Sequence, residues 1–175
     1  FAAGEPLDAP TYEWAHGALG VPVIDHYWQT ESGWPMLTNP VGVELLPVKA
    51  GSPTLAAFGH RFDVVDADGA PVPPGEKGFL VEHGPLPPGT LMTLWNDDQR
   101  FIESYWSYFQ EQRLYMTGDY AIRDADGYFW MLGRADEVLN VSGHRLGTRE
   151  IEEVVSAHPA VAEAGVIGKP DPVAG

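Results

Sequence analysis

Residues 133–150 read GRADEVLNVSGHRLGTRE, and this segment decides how the chain is interpreted. Apolar residues are sparse in it, whereas glycine, arginine and acidic residues are frequent. Glycine allows the backbone to approach a ligand closely, and the planar fork of arginine suits a phosphate or a carboxylate. Composition alone leaves two interpretations open: a solvated surface hairpin followed by a helix, or a segment that contacts an anionic ligand.

Length and charge limit the possible functions. With 175 residues the chain can form one domain, or one domain and part of another. A net charge of −15 argues against binding to nucleic acid or an anionic membrane over a broad surface, although it allows a local basic pocket. The lack of cysteine excludes disulfides and thiolate zinc sites. No apolar run reaches membrane-spanning length, and we expect a cytoplasmic protein.

The first third of the chain predicts a helix followed by a strand. Asp8 and Pro10 are typical of a helix start and Gly20 of its end, with an apolar face that includes Trp14 and Leu19. Residues 21–25 form a short apolar run, interpreted as a buried parallel strand. The polar and aromatic segment 26–33 follows it, at the edge where open α/β sheets bind their ligands.

The middle of the chain predicts short strands separated by turns, at residues 61–66, 78–83, 114–123 and 128–132. Residues 124–127 read DADG, which we interpret as a hairpin turn because the rest of a calcium loop is missing. Asp97 can cap a helix with an aromatic stripe that we assign to the core rather than to a cofactor site. The stripe consists of Phe101, Ile102, Tyr105, Trp106 and Phe109.

The last third predicts a helix over 148–157, with an apolar face at Ile151, Val154 and Val155, and a strand over 161–167. This strand has no partner in view, and the chain begins at Phe1 rather than at a methionine. We therefore expect a fragment of a larger protein.

Four motifs in this order resemble the adenylate-forming acyl-CoA synthetases, and most of all their propionate-activating branch. Residues 3–6 read AGEP, 25–35 DHYWQTESGWP, 115–119 YMTGD, and 133–152 GRADEVLNVSGHRLGTREIE. The resemblance implies a mixed α/β fold: an α/β segment of a large adenylation domain (1–50), its β-rich subdomain with a small β-barrel (51–135), and the start of a small α+β C-terminal domain (136–175). It also implies ATP, Mg²⁺ and coenzyme A as cofactors and a short-chain carboxylate as substrate.

The resemblance implies a nucleotide site as well. Thr30 is expected to face the phosphates, and Glu31 is expected to help hold Mg²⁺, which prefers oxygen ligands. Asp119 is expected to accept hydrogen bonds from both ribose hydroxyls. Arg134 is expected at the ribose or a phosphate, and Arg145 at the phosphates as a charge-assisted fork. The remaining nucleotide contacts are expected from Gly4, Glu5, Pro6, Asp25, His26, Tyr27, Trp28 and Gln29.

The small domain is expected to rotate about Asp136 between the two half-reactions, and Ser142 and Gly143 to approach coenzyme A after the rotation. His158 matches a position of a structural magnesium in acetate-activating relatives, together with the carbonyls of Ser156 and Val161. A histidine at a helix end before proline is more often a cap, and we predict no protein metal site there.

The resemblance also assigns two residues, Trp28 and Ala3, to the substrate pocket. Trp28 is expected to close the acyl pocket and to exclude medium chains, and Ala3 stands where acetate-specific relatives carry a larger valine. The smaller side chain favours propionate over acetate, and 3-hydroxypropionate stays possible. Discrimination of one methylene is modest, about ten- to 200-fold.

Parts of the family pattern are missing from these 175 residues. The phosphate loop is absent, and Lys49, Lys77 and Lys169 match no catalytic-lysine motif. We therefore expect no activity from this segment alone, and we expect catalysis to need the remainder of the polypeptide as a partner. An acetate-specific ligase and a non-catalytic nucleotide-binding or structural relative stay open as alternatives.

Overall fold

The computed structural model describes residues 1–5, 7–136, 138–141 and 144–169. Within this part of the chain it contains three helices and eight strands, which confirms the mixed α/β class. In chain order they are α1 (Ala9–Leu19), β1 (Leu37–Thr38), β2 (Leu55–Ala56), β3 (Phe62–Val65), β4 (Lys77–His83), α2 (Asp98–Tyr105), β5 (Leu114–Arg123), β6 (Phe129–Arg134), β7 (Val138–Val141), β8 (His144–Gly147) and α3 (Thr148–Ser156).

Helix α1 begins and ends where its sequence predicts. The carboxylate of Asp8 accepts the backbone N–H of Thr11, an N-cap that satisfies a donor of the first turn. Gly20 ends the helix at φ 67°, a left-handed conformation that glycine adopts without a steric penalty. The predicted apolar face is wrong as a buried face, because Trp14 and Leu19 are 73% and 66% exposed. Tyr12 is the buried residue of this helix.

The predicted parallel strand over 21–25 is reduced to a single parallel bridge between Ala2 and Asp25. Two backbone hydrogen bonds form this bridge, from Ala2 N–H to Ile24 O and from His26 N–H to Ala2 O. Ile24 and Asp25 are buried as predicted. One bridge is too short to be a strand, but it fixes the start of segment 26–33 beside residues 2–5.

A four-stranded antiparallel sheet in the order β3-β4-β5-β6 forms the centre of the molecule. Side chains alternate between the two faces of the sheet, and each face carries a core cluster. One cluster includes Leu37, Leu80 and Phe129, and the other includes Val81, Phe109 and Leu114. The four predicted strands are confirmed, and every end agrees with the prediction to within two residues.

The small β-barrel expected for this region is not closed: within the described residues the sheet is open, with β3 and β6 at its edges. Four strands are too few for a barrel, since closure needs a fixed stagger over more strands. The turn at 124–127 is confirmed, with a hydrogen bond from Gly127 N–H to Asp124 O. Its acidic side chains lie beside a lysine, because Lys49 Nζ is 2.5 Å from Asp124 and 2.7 Å from Asp126.

Helix α2 starts after Asp97, which caps it through Arg100 N–H, and ends at Tyr105, earlier than the aromatic stripe. Phe101 and Phe109 are buried, which agrees with the assignment of the stripe to the core. Ile102 is 47% exposed and does not fit it. Tyr105 takes part in the candidate site described below.

Within the described residues of segment 138–156, two strands are followed by a helix. Strands β7 and β8 pair antiparallel and α3 follows directly. Ala160 N–H donates to His158 Nδ1, so the imidazole bonds the backbone just beyond the end of α3. The predicted strand over 161–167 is wrong: these residues carry no strand, and Val166 N–H donates to Glu152 Oε1 instead. Within the part of the chain that is described, no helix is long and apolar enough to cross a bilayer.

Candidate functional site

A cavity of about 920 Å³ lies between the loop that follows Asp25, strands β5 and β6, and the hairpin and helix of the last third. Twelve of the residues predicted from sequence line it. They are Gly4, Glu5, Asp25, His26, Tyr27, Trp28, Gln29, Thr30, Glu31, Asp119, Arg134 and Asp136.

Asp25 anchors the wall formed by residues 4 and 5. Its Oδ2 accepts the backbone N–H of Leu7 at 3.1 Å, which holds the start of the chain against the buried end of segment 21–25. Gly4 has φ 103°, a conformation that other residues rarely adopt, and an added Cβ would meet nothing within 4 Å. The chain can therefore turn into the cavity at this point. Burial lowers the pKa of the neighbouring His26.

A tight turn presents Thr30 and Glu31 to the cavity. Ser32 N–H donates to Gln29 O at 3.0 Å, and the buried Ser32 hydroxyl accepts the N–H of Gln29 at 3.1 Å. The same hydroxyl lies 2.8 Å from the carbonyl oxygen of Trp34. These bonds fix the backbone on both sides of Thr30 and Glu31.

The carboxylate of Asp119 lies at the centre of the site. Tyr27 Oη donates to its Oδ2 at 2.6 Å, and Gln29 Nε2 donates to the same oxygen at 3.1 Å. Within the described part of the chain both side-chain bonds go to Oδ2, so Oδ1 is the oxygen available to a ligand. Burial raises the pKa of Asp119, and the hydrogen bonds and Arg134 oppose this. Burial also raises the pKa of Tyr27, which keeps its hydroxyl a donor.

Arg134 lies across the sheet from Asp119 and packs against Gly118. Asp119 and Arg134 are register partners on the neighbouring strands β5 and β6. Gly118 has φ 81°, and a Cβ there would lie 3.0 Å from a guanidinium nitrogen of Arg134. Arg134 also donates to both oxygens of Asp136, at 3.0 and 3.2 Å. This pairing raises the pKa of Arg134 and lowers that of Asp136.

Glu31 receives a hydrogen bond from a residue outside the predicted set. Tyr105 Oη donates to Glu31 Oε1 at 2.5 Å. The Tyr105 ring stacks on Tyr115, with centroids 5.3 Å apart and an interplanar angle of 6°. Sequence analysis missed this contact because the spacing of Phe101 and Tyr105 is that of a core stripe, and nothing local distinguishes the two.

Residues of the last third line the remaining side of the cavity: Leu139, Thr148, Glu152, Val166, Ile167 and Gly168. Sequence analysis did not single these out as site residues. Ala3 is exposed and does not line the cavity, although it is adjacent to Gly4. Pro6, Ser142 and Gly143 lie outside the described residues, as does the side chain of Arg145.

The donor set does not form a metal site by itself, since the described residues contain no cluster of three or more metal-binding side chains. It fits a magnesium ion that arrives with phosphates. Such an ion is held in proteins by one or two carboxylates together with the phosphate oxygens of its substrate, and Glu31 has one oxygen in addition to that bonded by Tyr105. The cavity thus combines an acceptor for hydroxyls, an arginine and one carboxylate for a phosphate-bound cation.

Two family models match the chain. The model described as "AMP-binding enzyme" matches residues 1–94, and the model described as "AMP-binding enzyme C-terminal domain" matches residues 150–175.

Relatives of known sequence and structure agree with these matches. A propionate–CoA ligase of Escherichia coli (strain K12) is 52% identical over 100% of this chain, which spans 28% of that relative. An acetyl-coenzyme A synthetase of Pyrobaculum arsenaticum is 46% identical over 99% of the chain, which spans 26% of it. The crystal structure of an anthranilate CoA ligase with anthranoyl-AMP superimposes at a TM-score of 0.78 and 31% identity, covering 97% of this chain and 30% of the ligase.

Proposed function

Because this chain belongs to the AMP-binding enzyme family, we propose that it is part of a short-chain acyl-CoA synthetase that activates propionate with ATP. The gathering of Tyr27, Gln29, Asp119 and Arg134 on one cavity supports the nucleotide half of the proposal. The 52% identity to a propionate–CoA ligase supports the choice of acid. Acetate, the acid suggested by the acetyl-coenzyme A synthetase relatives, is the second candidate.

The proposed reaction has two steps. A carboxylate oxygen of the acid attacks the α-phosphorus of ATP and pyrophosphate leaves. The thiol of coenzyme A then attacks the acyl carbon, and AMP leaves. In the first step Asp119 holds the ribose through Oδ1, Arg134 stands beside ribose and phosphate, and Thr30 contacts the phosphates. Magnesium, held in part by Glu31, neutralises phosphate charge when bound.

We propose the same division of the chain as the sequence suggests: 1–50 and 51–135 in the adenylation domain, and 136–175 in the small domain that rotates about Asp136. In that proposal Ser142 and Gly143 approach coenzyme A, and Arg145 binds the phosphates. The pairing of β1 with β2 joins the first two parts, because it connects residues 37–38 with residues 55–56.

The test uses the intact protein that contains this chain. Pyrophosphate exchange into ATP is measured with propionate, acetate and 3-hydroxypropionate, and acyl-CoA formation is measured separately. We expect exchange and acyl-CoA formation with the highest kcat/KM for propionate. ATP binding without acid-dependent exchange would instead support a non-catalytic nucleotide-binding relative.

Replacing Ala3 by valine in the intact protein is expected to shift the preference from propionate towards acetate. The added methyl groups would occupy space for the terminal carbon of propionate. Because Ala3 lies beside the cavity rather than in its lining, we expect the lower end of the range for one methylene, about tenfold in the ratio of kcat/KM values. An unchanged ratio would show that Ala3 does not limit the pocket.

Replacing Gly118 by alanine is expected to destabilise the fold and weaken ATP binding together. A left-handed conformation costs a non-glycine residue about 1–2 kcal/mol, and the new Cβ displaces the Arg134 guanidinium. Gly75 provides a matched control, with φ 88° and nothing within 4 Å of its added Cβ. Gly75→Ala should lower the free energy of unfolding similarly and leave the Kd for ATP unchanged. Equal Kd values for both variants would contradict the role given to Arg134.

A further inference from the structure

Tyr105 is bonded to a residue that the proposed function places at the cation. Its hydroxyl donates to Glu31 Oε1 at 2.5 Å, and Glu31 lines the cavity. The backbone of Glu31 is also held by a hydrogen bond, because Leu91 N–H donates to its carbonyl oxygen at 2.7 Å. The carboxylate of a half-buried glutamate has several rotamers available, and a single strong hydrogen bond selects among them.

We propose that Tyr105 is a positioning residue for Glu31, holding Oε1 of its carboxylate so that Oε2 is presented to the divalent cation of bound ATP. This inference rests on the proposed function, which supplies the nucleotide and its cation. It adds to that function a residue from a different part of the chain, helix α2 of the β-rich region.

The surroundings of Tyr105 suit a fixed donor. The ring is held between Phe101, with centroids 5.5 Å apart, and the buried Tyr115. From this position the hydroxyl donates its hydrogen bond to Glu31 Oε1.

The aromatic stack also connects the cation side of the cavity with the ribose side. Tyr115 Oη lies 3.4 Å from Gln29 Oε1, and Gln29 donates in turn to Asp119. Core packing alone would be served by phenylalanine at position 105, as it is at Phe101. The hydroxyl is thus the part of Tyr105 that packing does not account for.

The test compares Tyr105→Phe with the unaltered intact protein. Binding of Mn²⁺, used as a paramagnetic substitute for Mg²⁺, is titrated by EPR in the presence of a non-hydrolysable ATP analogue. Loss of one hydrogen bond to a charged group predicts a Kd for Mn²⁺ raised about tenfold. In pyrophosphate exchange the Mg²⁺ concentration for half-maximal rate should rise by a similar factor, with kcat nearly restored at saturating Mg²⁺.

Two controls make the result specific. Tyr108→Phe removes a hydroxyl from the same region at a 54% exposed residue outside the cavity lining, and should change neither value. In a Glu31→Gln background, Tyr105→Phe should have little further effect, because the carboxylate it positions is gone.

Unchanged Mn²⁺ affinity and Mg²⁺ requirement in folded Tyr105→Phe would overturn the inference. So would an equal additional loss in the Glu31→Gln background. Failure of the proposed function is distinguishable, since the unaltered protein would then show neither acid-dependent pyrophosphate exchange nor nucleotide-dependent Mn²⁺ binding.

Discussion

Replacing Asp119 by alanine in the intact protein is expected to weaken ATP binding by about ten- to 150-fold, the value of hydrogen bonds to a charged acceptor. Asp119 is 8% exposed, and Tyr27 and Gln29 both bond to its Oδ2. Alanine removes the acceptor that we propose for the ribose hydroxyls, and it also leaves the Tyr27 and Gln29 donors without their acceptor. Both effects act on the nucleotide, so the Kd for ATP and its KM in pyrophosphate exchange should rise together.

Asp119→Asn separates the loss of charge from the loss of shape. A folded-state pKa raised above the unfolded value means that the ionised carboxylate costs stability above both pKa values, and burial raises the pKa of Asp119. At neutral pH the asparagine variant should therefore be at least as stable as the unaltered protein, yet bind ATP more weakly. Asp68→Ala, in an exposed turn, serves as the surface control. Unchanged ATP affinity in both Asp119 variants would contradict the ribose assignment.

Features with local physical causes could be predicted from the sequence. Helix α1 begins after Asp8 and ends at Gly20, because a side-chain cap and a left-handed glycine each act within one turn of the helix. The turn at 124–127 forms for the same kind of reason. The exposure of Trp14 and the lack of a strand over 161–167 could not be predicted, because burial of an apolar face and pairing of a strand both depend on contacts with distant residues. The closed barrel likewise depends on pairing at the sheet edges.

In the candidate site, too, local features could be predicted from the sequence and contacts between distant residues could not. Residues 25–31 are contiguous in sequence, so one motif is sufficient to place them on one wall of the cavity. The sequences of α2 and α3 indicate only a core stripe and an apolar face. Glu152 nevertheless lines the cavity from α3, and Tyr105 of α2 donates a hydrogen bond to the lining residue Glu31. Their contribution depends on the packing of α2 and α3 against the rest of the molecule, which periodicity does not encode. The roles of all these residues towards ATP remain predictions that the variants above test.

Replacing Asp136 by proline is expected to separate the two half-reactions. Strand β6 ends at Arg134, and Ala135 N–H still donates to Gly118 O at 2.8 Å, so Asp136 follows the last of these backbone bonds to the sheet. Proline fixes φ near −65° and removes the N–H, which should hold the small domain in one pose. The upstream residues that we propose to hold the nucleotide, such as Asp119, are unaffected. We therefore expect pyrophosphate exchange to survive and acyl-CoA formation to fall, by about 100-fold if the thiol is misplaced by 1 Å.

Asp136→Ala provides the matched control. It removes the two hydrogen bonds from Arg134, at 3.0 and 3.2 Å, but leaves φ free to change. The Asp136 side chain is 69% exposed, and an exposed ion pair contributes little to stability, so both half-reactions should continue in this variant. A proline variant that lost acyl-CoA formation while the alanine variant kept it would locate the effect in the backbone. If proline trapped the small domain in its second pose, pyrophosphate exchange would be the half-reaction lost, and rotation at Asp136 would still hold. Equal loss of both half-reactions in folded Asp136→Pro would argue against rotation at this residue.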